Sequence, residues 1–528
     1  MKKKFTIVDA AIVVTLIILV ALLLAPVLFP ESSLQEIADT NGDGKITLSD
    51  YDGKKIGSIT GVNYDLIINK YVPGSTVEYY SNYPDLVVAL KAGIIDAFII
   101  DEPALAAIMM EDPEVSQVPE NMSSWLMSFA FSEKSKIPNL YNNMNSFIAL
   151  IREDGVLDEI KDIWFGDDES KKVIPPLDDL TGENGTVKVA LETTYAPIVY
   201  MKNEQVVGYE ADILYRFCDH YHYKLEFVDM QYDAILPAIA TGKCDIGASG
   251  LECTEDHAES VLLSTPHLEA GTSLAVLASD LLETNNAPAI GTGKSFSERA
   301  MSSFEKNLVT ESRWKLIIKG IGTTCLITVL SALFGSIIAF GMCLLRRCAS
   351  KLANPVLDAY VRIIQGIPLV ILLMILFYVI FANSGIESVW IAVIGFSISF
   401  SAHAAVIMQS GLDSIDAGQE EAALALGFTH NQAFFRFLYP QAALRFLPVY
   451  RGELVNLLNN TSIVGYIAVQ DLTKMSDIIR SRSYEAFLPL ILSTLIYFVL
   501  ARIITVVVDI VLKEISPRRM RSKGGEKA

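Results

Sequence analysis

The sequence has few of the residues that build catalytic and metal centres. It holds six cysteines and six histidines in 528 residues. Cys218, Cys244 and Cys253 lie before residue 312 and leave room for one disulfide, whereas the other three lie in or beside apolar stretches. None of these spacings is a zinc pattern, and no nucleophile and base are paired along the chain. We therefore expect a protein that is not an enzyme.

Basic residues are scarce over much of the chain. Residues 30–312 contain 47 Asp and Glu against 19 Lys and Arg, while the remainder carries a basic excess. With 51% hydrophobic residues and a mean hydropathy of +0.37, the chain is also too apolar for an ordinary soluble protein. The uneven charge predicts two regions that face different solvents, and part of the chain must lie in lipid.

The first apolar stretch predicts a membrane anchor over residues 1–30. Ala10 to Phe29 is 20 residues without a charge, which is enough to cross about 30 Å of hydrocarbon as a helix. The lysines at positions 2–4 stay on the inner side by the positive-inside rule. A cleaved secretory signal is the alternative. Both readings place residues 30–312 outside the cytoplasm.

Five further apolar stretches predict a membrane domain over 314–515, followed by a basic cytoplasmic tail at 516–528. Started from the outside, these crossings put the 409–445 loop and the tail in the cytoplasm. Arg451 and Asn459 interrupt one stretch, and such polar groups either face a protein interior or a water path, or hold helices together. The stretches are 318–345, 359–382, 389–408, 446–469 and 487–512.

The loop at 409–445 carries the most specific pattern, an E-A-A triplet followed at fixed spacing by a glycine and a proline. We expect a short Ala-rich helix, a glycine turn, and a second helix closed by the proline. This resembles the coupling loop of ABC importer permeases, and the resemblance implies docking of a separate cytoplasmic ABC ATPase. The positions are Glu421, Ala422, Ala423, Gly427 and Pro440.

Three more segments are similar to permeases for polar amino acids over about 200 residues: 361–381, the "GLDSIDAGQEEAALALG" run, and 452–472. The resemblance implies pairing with a second permease copy or a paralogue. "GTGKS" at 291–295 ends like a phosphate-binding loop, but Pro288 stands where the first glycine is required. We therefore expect a linker at 281–313, and no ATP bound by this chain.

The exported region alternates short β-rich runs with helical patterns, which is typical of an α/β fold. Its runs resemble the two lobes of periplasmic-type amino acid binding proteins, with the second lobe first. Residues 53–166 resemble lobe 2 with the terminal helices, and 187–280 resemble lobe 1. A circular permutation with a linker at 167–186 accounts for this order.

Ligand contacts carried over from that resemblance are mainly acids, aromatics and small residues. Asp101 stands where the family holds an α-ammonium, while His257 stands where it has a carboxylate-binding Arg. The ligand is then a cationic or carboxylate-free molecule, another small polar solute, or nothing if the domain is degenerate. The positions are Asn63, Asp101, Glu192, Tyr195, Tyr232, Ser249, Gly250, Glu252 and His257.

The stretch "DTNGDGKITLSD" at 39–50 has the spacing of a calcium loop, with oxygen ligands at positions 1, 3, 5, 7, 9 and 12. Its place within a linker at 31–52 suggests a structural clamp, and a solvated Asp/Gly turn is the alternative. The expected Ca²⁺ ligands are Asp39, Asn41, Asp43, Lys45 through its carbonyl, Thr47 and Asp50.

Together these patterns predict a multidomain chain: an anchor, an extracytoplasmic α/β two-lobe solute-binding domain, and a C-terminal all-α permease of five helices. The predicted function is the membrane subunit of an ATP-driven importer for amino acids or similar small polar solutes. The alternative is a permease regulated by a degenerate binding domain that acts as a sensor. We expect a multi-pass protein of a bacterial plasma membrane, in contact with the lipid bilayer and without a nucleic-acid partner.

Overall fold

The computed structural model describes most of the chain. The predicted N-terminal anchor, the first part of the predicted calcium loop and the predicted basic tail lie outside the described residues. The described ranges are 46–62, 64–177, 182–252, 261–281, 296–348, 353–382, 384–485 and 487–515.

A six-stranded sheet forms the first lobe, called here the six-stranded lobe. Its strands run in the order Thr76–Tyr80, Lys55–Ile59, Ala97–Asp101, Leu268–Leu277 and Val115–Gln117, with Ser123–Met127 also paired to Leu268–Leu277. The first three are parallel and the pairs with Leu268–Leu277 are antiparallel. Helices Tyr64–Tyr71, Tyr83–Lys91 and Glu102–Glu111 connect them.

A five-stranded sheet forms the second lobe, called the five-stranded lobe. Its strands run in the order Lys224–Asp229, Thr186–Leu191, Ile246–Gly247, Ala130–Phe131 and Leu262–Leu263. Its helices are Leu140–Glu153, Val156–Phe165, Tyr209–His220 and Tyr232–Thr241. A three-stranded sheet of Thr194–Tyr195, Val199–Lys202 and Gln205–Val207 lies beside it.

The chain passes between the lobes twice. Strand Ser123–Met127 lies in one sheet and Ala130–Phe131 in the other, and the chain returns between Leu262–Leu263 and Leu268–Leu277. Each stretch predicted as one lobe therefore gives a strand to the other sheet: Ala130–Phe131 lies in the five-stranded sheet and Leu268–Leu277 in the six-stranded one. Sheet pairing joins segments far apart in sequence, so the run of strands and helices alone could not show the exchange.

The C-terminal region consists of helices and short connections, with no strand among its described residues. Leu369–Ile375 runs on into Leu376–Ile380, and Phe434–Leu438 links the short helix before it to the long helix after it. The main helices are Trp314–Cys348, Ala353–Gly366, Leu369–Ile375, Ser388–Asp413, Gly418–Ala425, His430–Ala433, Tyr439–Asn460, Leu472–Ser483 and Phe487–Ile515.

The described residues contain three helices long and apolar enough to cross a membrane: 314–347, 388–413 and 488–515. The predicted crossing at 359–382 is instead a pair of helices bent by 102°, which makes a fourth span if the pair counts as one. The bend falls beside Pro368, which cannot donate a helical hydrogen bond.

The predicted crossing at 446–469 differs most from the structure. The helix here starts at Tyr439, ends at Asn460 and continues as the tight turn Thr461–Ile467. Arg451 pairs with Asp509 of the last helix at 2.7 Å. That ion pair favours the interpretation in which the polar residues of this stretch hold helices together.

Two elements lie where we expected irregular chain. Phe296–Phe304 forms a helix within the predicted linker. Leu472–Ser483, called the lobe-facing helix, follows Asp471, whose carboxylate accepts from the backbone N–H of Lys474 at 3.0 Å. It packs so closely on Trp314–Cys348 that a Cβ at Gly320 would lie 2.7 Å from the Leu472 backbone.

The long helix Trp314–Cys348 connects the two regions that carry the functional patterns. Leu316 and Ile317 near its start share an apolar cluster with Met201 of the lobes. Arg347 near its end pairs with Glu420 of the predicted coupling loop. At 1.5 Å per residue these ends are about 45 Å apart, more than the thickness of a bilayer core.

Candidate functional site

A closed cleft between the two lobes gathers the predicted ligand residues. The space left inside it is about 20 Å³, which is room for a single water molecule. Its wall consists of Ile59, Val62, Tyr64, Asn82, Tyr83, Asp101, Trp125, Glu192, Thr194, Tyr195, Tyr232, Ser249 and Gly250.

Asp101 lies at the centre of the cleft, with only 2% of its surface exposed. It ends strand Ala97–Asp101 and directly precedes helix Glu102–Glu111, so the strand fixes where its carboxylate points. The Tyr195 hydroxyl donates to this carboxylate from the opposite lobe, and Tyr64 donates at 3.2 Å. Burial raises the pKa of Asp101 to about 7, against the effect of these hydrogen bonds, and the nearby Glu252 charge adds to the rise.

Aromatic rings close two sides around this carboxylate. Tyr64 stacks on Trp125 with ring centroids 4.6 Å apart, and Tyr83 stacks on Tyr195 at 5.1 Å. The second pair joins the lobes, since Tyr83 belongs to the six-stranded lobe and Tyr195 to the three-stranded sheet beside the other. Rings of this kind stabilise a cation held over their faces.

The turn at Ser249 and Gly250 is held by a buried carboxylate. Glu210, which is fully buried, accepts from the backbone N–H of Ser249 at 2.5 Å and of Gly250 at 3.0 Å. The Ser249 hydroxyl in turn accepts from the N–H of Glu192 at 2.8 Å. Gly250 has φ +67°, and a Cβ there would lie 2.8 Å from the Tyr195 ring, so only glycine fits.

The chemistry of the wall suits a positive charge. Asp101 and Glu192 supply carboxylates beside stacked rings, and burial raises the pKa of Glu192 to about 7 while the Lys474 ammonium opposes the rise. Among the described residues, no arginine lines the cleft. A ligand carboxylate would therefore lack the bidentate guanidinium partner that such groups need.

The coupling pattern folds as a helix–glycine–helix elbow, defined by residues 418–438. Glu421, Ala422 and Ala423 lie in helix Gly418–Ala425, and Gly427 turns the chain with φ +87°. Pro440 does not close the second helix as expected. It lies in the first turn of Tyr439–Asn460, where its missing N–H has no helical partner to lose.

Contacts within the elbow leave one face uncovered. Arg347 pairs with Glu420 and lies over the Phe434 ring, while His430 Nδ1 lies 3.1 Å from Glu420. The tip of the elbow lacks such covering contacts, because Glu421 is exposed and 78% of the Leu426 surface is accessible.

Residues 187–460, just over half of the chain, match the family described as bacterial extracellular solute-binding proteins, family 3. The chain is 30% identical over 229 residues to the L-cystine transport system permease protein TcyB of Bacillus subtilis, covering 43% of this chain and 94% of that protein. The arginine transport system permease protein ArtQ of the same organism is 32% identical over 191 residues, covering 36% and 87%.

The chain is an amino acid ABC transporter permease fused to a family 3 solute-binding domain. A solved amino acid ABC transporter with histidines is similar as well, with 29% identity over 41% of this chain and 97% of that one and a TM-score of 0.36. We refer to the chain below as the fused permease.

Most predicted ligand residues of the fused permease meet in the cleft. Asp101, Glu192, Tyr195, Tyr232, Ser249 and Gly250 all line it. Glu252 lies at its border, where its backbone bridges Met127 of the other lobe. Asn63 and His257 lie outside the described residues.

The sequence did not predict several residues of this site in the fused permease, and four of them bear on its chemistry. Tyr64, Tyr83 and Trp125 reach the cleft from the six-stranded lobe, and Glu210 holds the Ser249 turn. Glu210 had a detectable signal, since an acid at the start of a helix after Gly208 is well placed to bind backbone N–H groups. The three aromatic residues had none, because packing alone brings their rings together.

Only the end of the predicted calcium loop of the fused permease is described. Asp39, Asn41, Asp43 and Lys45 lie outside the described residues. Asp50 accepts from the Thr47 N–H at 2.8 Å and from its hydroxyl at 3.0 Å, which caps the turn Leu48–Tyr51. Calcium binding by this loop stays a prediction.

Proposed function

We propose that the fused permease is the membrane subunit of an ATP-driven importer for a cationic, amino-acid-like or other small polar solute. The observation that carries the solute class is the cleft, where Asp101 and Glu192 are buried beside stacked aromatic rings without an arginine on the described wall. The name of one relative, an arginine permease, agrees with a basic solute, whereas another is a cystine permease.

In this proposal the lobes face the outside of a bacterial plasma membrane and the elbow faces the cytoplasm. The separation of about 45 Å along Trp314–Cys348 supports that arrangement. A separate ABC ATPase docks on the exposed tip around Glu421 and Leu426. A second copy or a paralogue completes the path, and the helix Tyr439–Asn460 makes the fifth crossing of each copy.

We also propose that the solute-binding domain is circularly permuted. Both its first described element, Leu48–Tyr51, and its last, Ala278–Leu281, lie with the six-stranded lobe. The Tyr51 carbonyl accepts from the Ser75 hydroxyl at 3.2 Å, and the Ala278 N–H donates to the Glu114 carbonyl at 2.8 Å. The two passages between lobes at 127–130 and 263–268 then form the hinge. Tethering such a receptor to its permease replaces a bimolecular encounter with an intramolecular one.

The test is a binding and uptake panel on the full chain in lipid nanodiscs and in proteoliposomes with its ATPase. Probes are L-arginine, choline, L-glutamine, L-cystine and L-glutamate. We expect binding and ATP-dependent uptake of cationic probes and no binding of L-glutamate. Tight binding of L-glutamate would reject the proposed solute class. Uptake without any ATPase would reject the importer itself.

A further inference from the structure

The lobe-facing helix Leu472–Ser483 belongs to the permease but inserts charges into the solute-binding domain. Lys474 is 7% exposed, and its ammonium lies 3.4 Å from Asp229 and 4.0 Å from Glu192. Glu192 is one of the two carboxylates that line the cleft. A permease cation therefore already neutralises a wall of the solute site.

Neighbouring contacts fix this arrangement. Asp229 accepts from the Thr193 N–H at 3.1 Å and hydroxyl at 2.9 Å, and from Gln470 at 3.2 Å. Six residues further along the helix, Arg480 pairs with Asp85 of the six-stranded lobe. The helix thus touches both lobes, and Lys474 cannot leave Glu192 without a change in how the lobes and the permease meet.

We propose that Lys474 is a tethered competitor for the positive charge of the solute at Glu192. This inference rests on the proposed function, because it requires a cationic solute in the same cleft. Lys474 is held by Asp229 as well as by Glu192, so a cationic solute that reaches Glu192 shares this carboxylate with a like charge that stays in place. The docked lobes therefore hold a cationic solute more weakly than undocked lobes do. Docking on the permease then favours release of the solute at the membrane.

A purely structural ion pair would behave differently. If Lys474 only fastens the lobes to the permease, its removal changes the affinity for charged and uncharged solutes alike. A competitor acts on charge, so its removal strengthens the binding of cations alone. The two roles are therefore distinguished by the ratio of the dissociation constants for a cationic solute and for L-glutamine, and not by either constant alone.

The experiment compares the full wild-type chain with Lys474→Met and Lys474→Arg in nanodiscs. Dissociation constants are measured by calorimetry for L-arginine, choline and L-glutamine. We expect Lys474→Met to bind L-arginine and choline about tenfold more tightly, Lys474→Arg to resemble the wild type, and L-glutamine to bind all three alike. A tenfold gain corresponds to about 1.4 kcal/mol.

Arg482→Met is the matched control on the same helix. Arg482 pairs with Glu311 and lies over the Tyr200 ring, 4.5 Å from its centroid, so it fastens the helix without contact to Glu192. We expect it to leave the ratio of cation to glutamine affinity unchanged. The same change of this ratio in Arg482→Met and in Lys474→Met would overturn the competitor role of Lys474.

A second readout follows the lysine itself by amine acylation and mass spectrometry. Lys474 is expected to be protected in the wild type and to become reactive when choline saturates the cleft. Probes that bind wild type and Lys474→Met equally would reject this inference and leave the proposed function intact. If neither the wild type nor Lys474→Met bound any probe, both this inference and the proposed function would be rejected.

Discussion

The two ends of helix Trp314–Cys348 present charge in opposite ways. At the lobe end, Lys474 and Arg480 are 7% exposed and each is paired with an acid of the lobes. At the elbow end, Glu421 and the apolar Leu426 lie open, next to Glu420, which is paired with Arg347. The lobes therefore find their partner within the chain, whereas the elbow leaves its tip open for the proposed ATPase.

Burial explains why changing a charge at the lobe end and changing one at the elbow end should have different effects. A buried charge that loses its partner is strongly destabilising, so the lobe end tolerates one arrangement only. An exposed charge is screened by water and contributes little to folding, which leaves Glu421 free to serve docking. Substitutions at the two ends should therefore separate folding and binding from coupling.

The largest effect is expected at the elbow. Glu421→Lys should lower ATP-dependent solute uptake at least tenfold, because it places a cation on the docking face while the elbow keeps its fold. Solute affinity and the unfolding temperature should stay unchanged. Uptake is measured in proteoliposomes with the ATPase, and Glu159→Lys, an equally exposed acid on the lobes, serves as control. Normal uptake by Glu421→Lys would remove the coupling role of the elbow.

A smaller effect is expected within the cleft. Gly250→Ala should weaken solute binding about tenfold, because the new Cβ meets the Tyr195 ring at 2.8 Å. Gly155→Ala has a similar φ of +76° but nothing within 4 Å, so it should show backbone strain of about 1 kcal/mol in stability and no loss of binding. Calorimetry and thermal unfolding of both variants check this. Equal effects on binding would mean that the contact with Tyr195 is unimportant.

The pH dependence should also distinguish the two ends. Burial raises the pKa of Asp101 and of Glu192 to about 7, against about 4 in the unfolded chain. The folded state then holds more protons between these values, so the free energy of unfolding falls as pH rises from 5 to 7 and levels off above 7. At the elbow the sign is opposite, because the His430 hydrogen bond, with the Arg347 charge, lowers the pKa of Glu420 and its contribution is lost only in acid.

Asp101→Asn should therefore flatten the dependence of the unfolding temperature on pH between 5 and 7. The slope that one such group contributes approaches 1.4 kcal/mol per pH unit, roughly, while it titrates. Thermal unfolding at pH 5, 6, 7 and 8 without solute measures it, with the exposed Asp158→Asn as control. If the unfolding temperature depended on pH in the same way in wild type and Asp101→Asn, the raised pKa of Asp101 would be contradicted.

The smallest effect concerns the predicted calcium loop. Removal of Ca²⁺ by a chelator should lower the unfolding temperature of the wild type by a few degrees, roughly what one weakly filled site stabilises. The double substitution Asp39→Ala and Asp43→Ala should abolish that response and leave uptake unchanged. Identical responses to the chelator in both chains would show that the loop binds no calcium.

Local patterns predicted the parts of the fold that local forces determine. The elbow followed from the spacing of Glu421 and Gly427, since a glycine with φ +87° between helices is encoded within a few residues. Asp101 instead followed from the resemblance to amino acid binding proteins and not from any local pattern. The Arg451 and Asp509 pair, by contrast, joins two helices through packing, and the sequence could only offer it as one of two interpretations.

What the sequence did not predict depends on contacts across long distances. The lobe-facing helix could not be predicted from the sequence, because its polar residues, Lys474 and Arg480 among them, suit water as well as buried acids. The stacked pairs of Tyr64 with Trp125 and of Tyr83 with Tyr195 join four separate elements. No local periodicity marks such contacts, because only the closed lobes bring the rings together.

The strand exchange between the lobes determines which part of the receptor can move. Leu48–Tyr51 and Ala278–Leu281, where the described part of the receptor begins and ends, both lie with the six-stranded lobe. The five-stranded lobe joins that lobe through the connections near residues 128 and 266, and it also rests on the permease, where Asp229 pairs with Lys474 and Lys243 lies over the Phe377 ring. Movement of the five-stranded lobe therefore has to break contacts with the permease as well as with its neighbouring lobe.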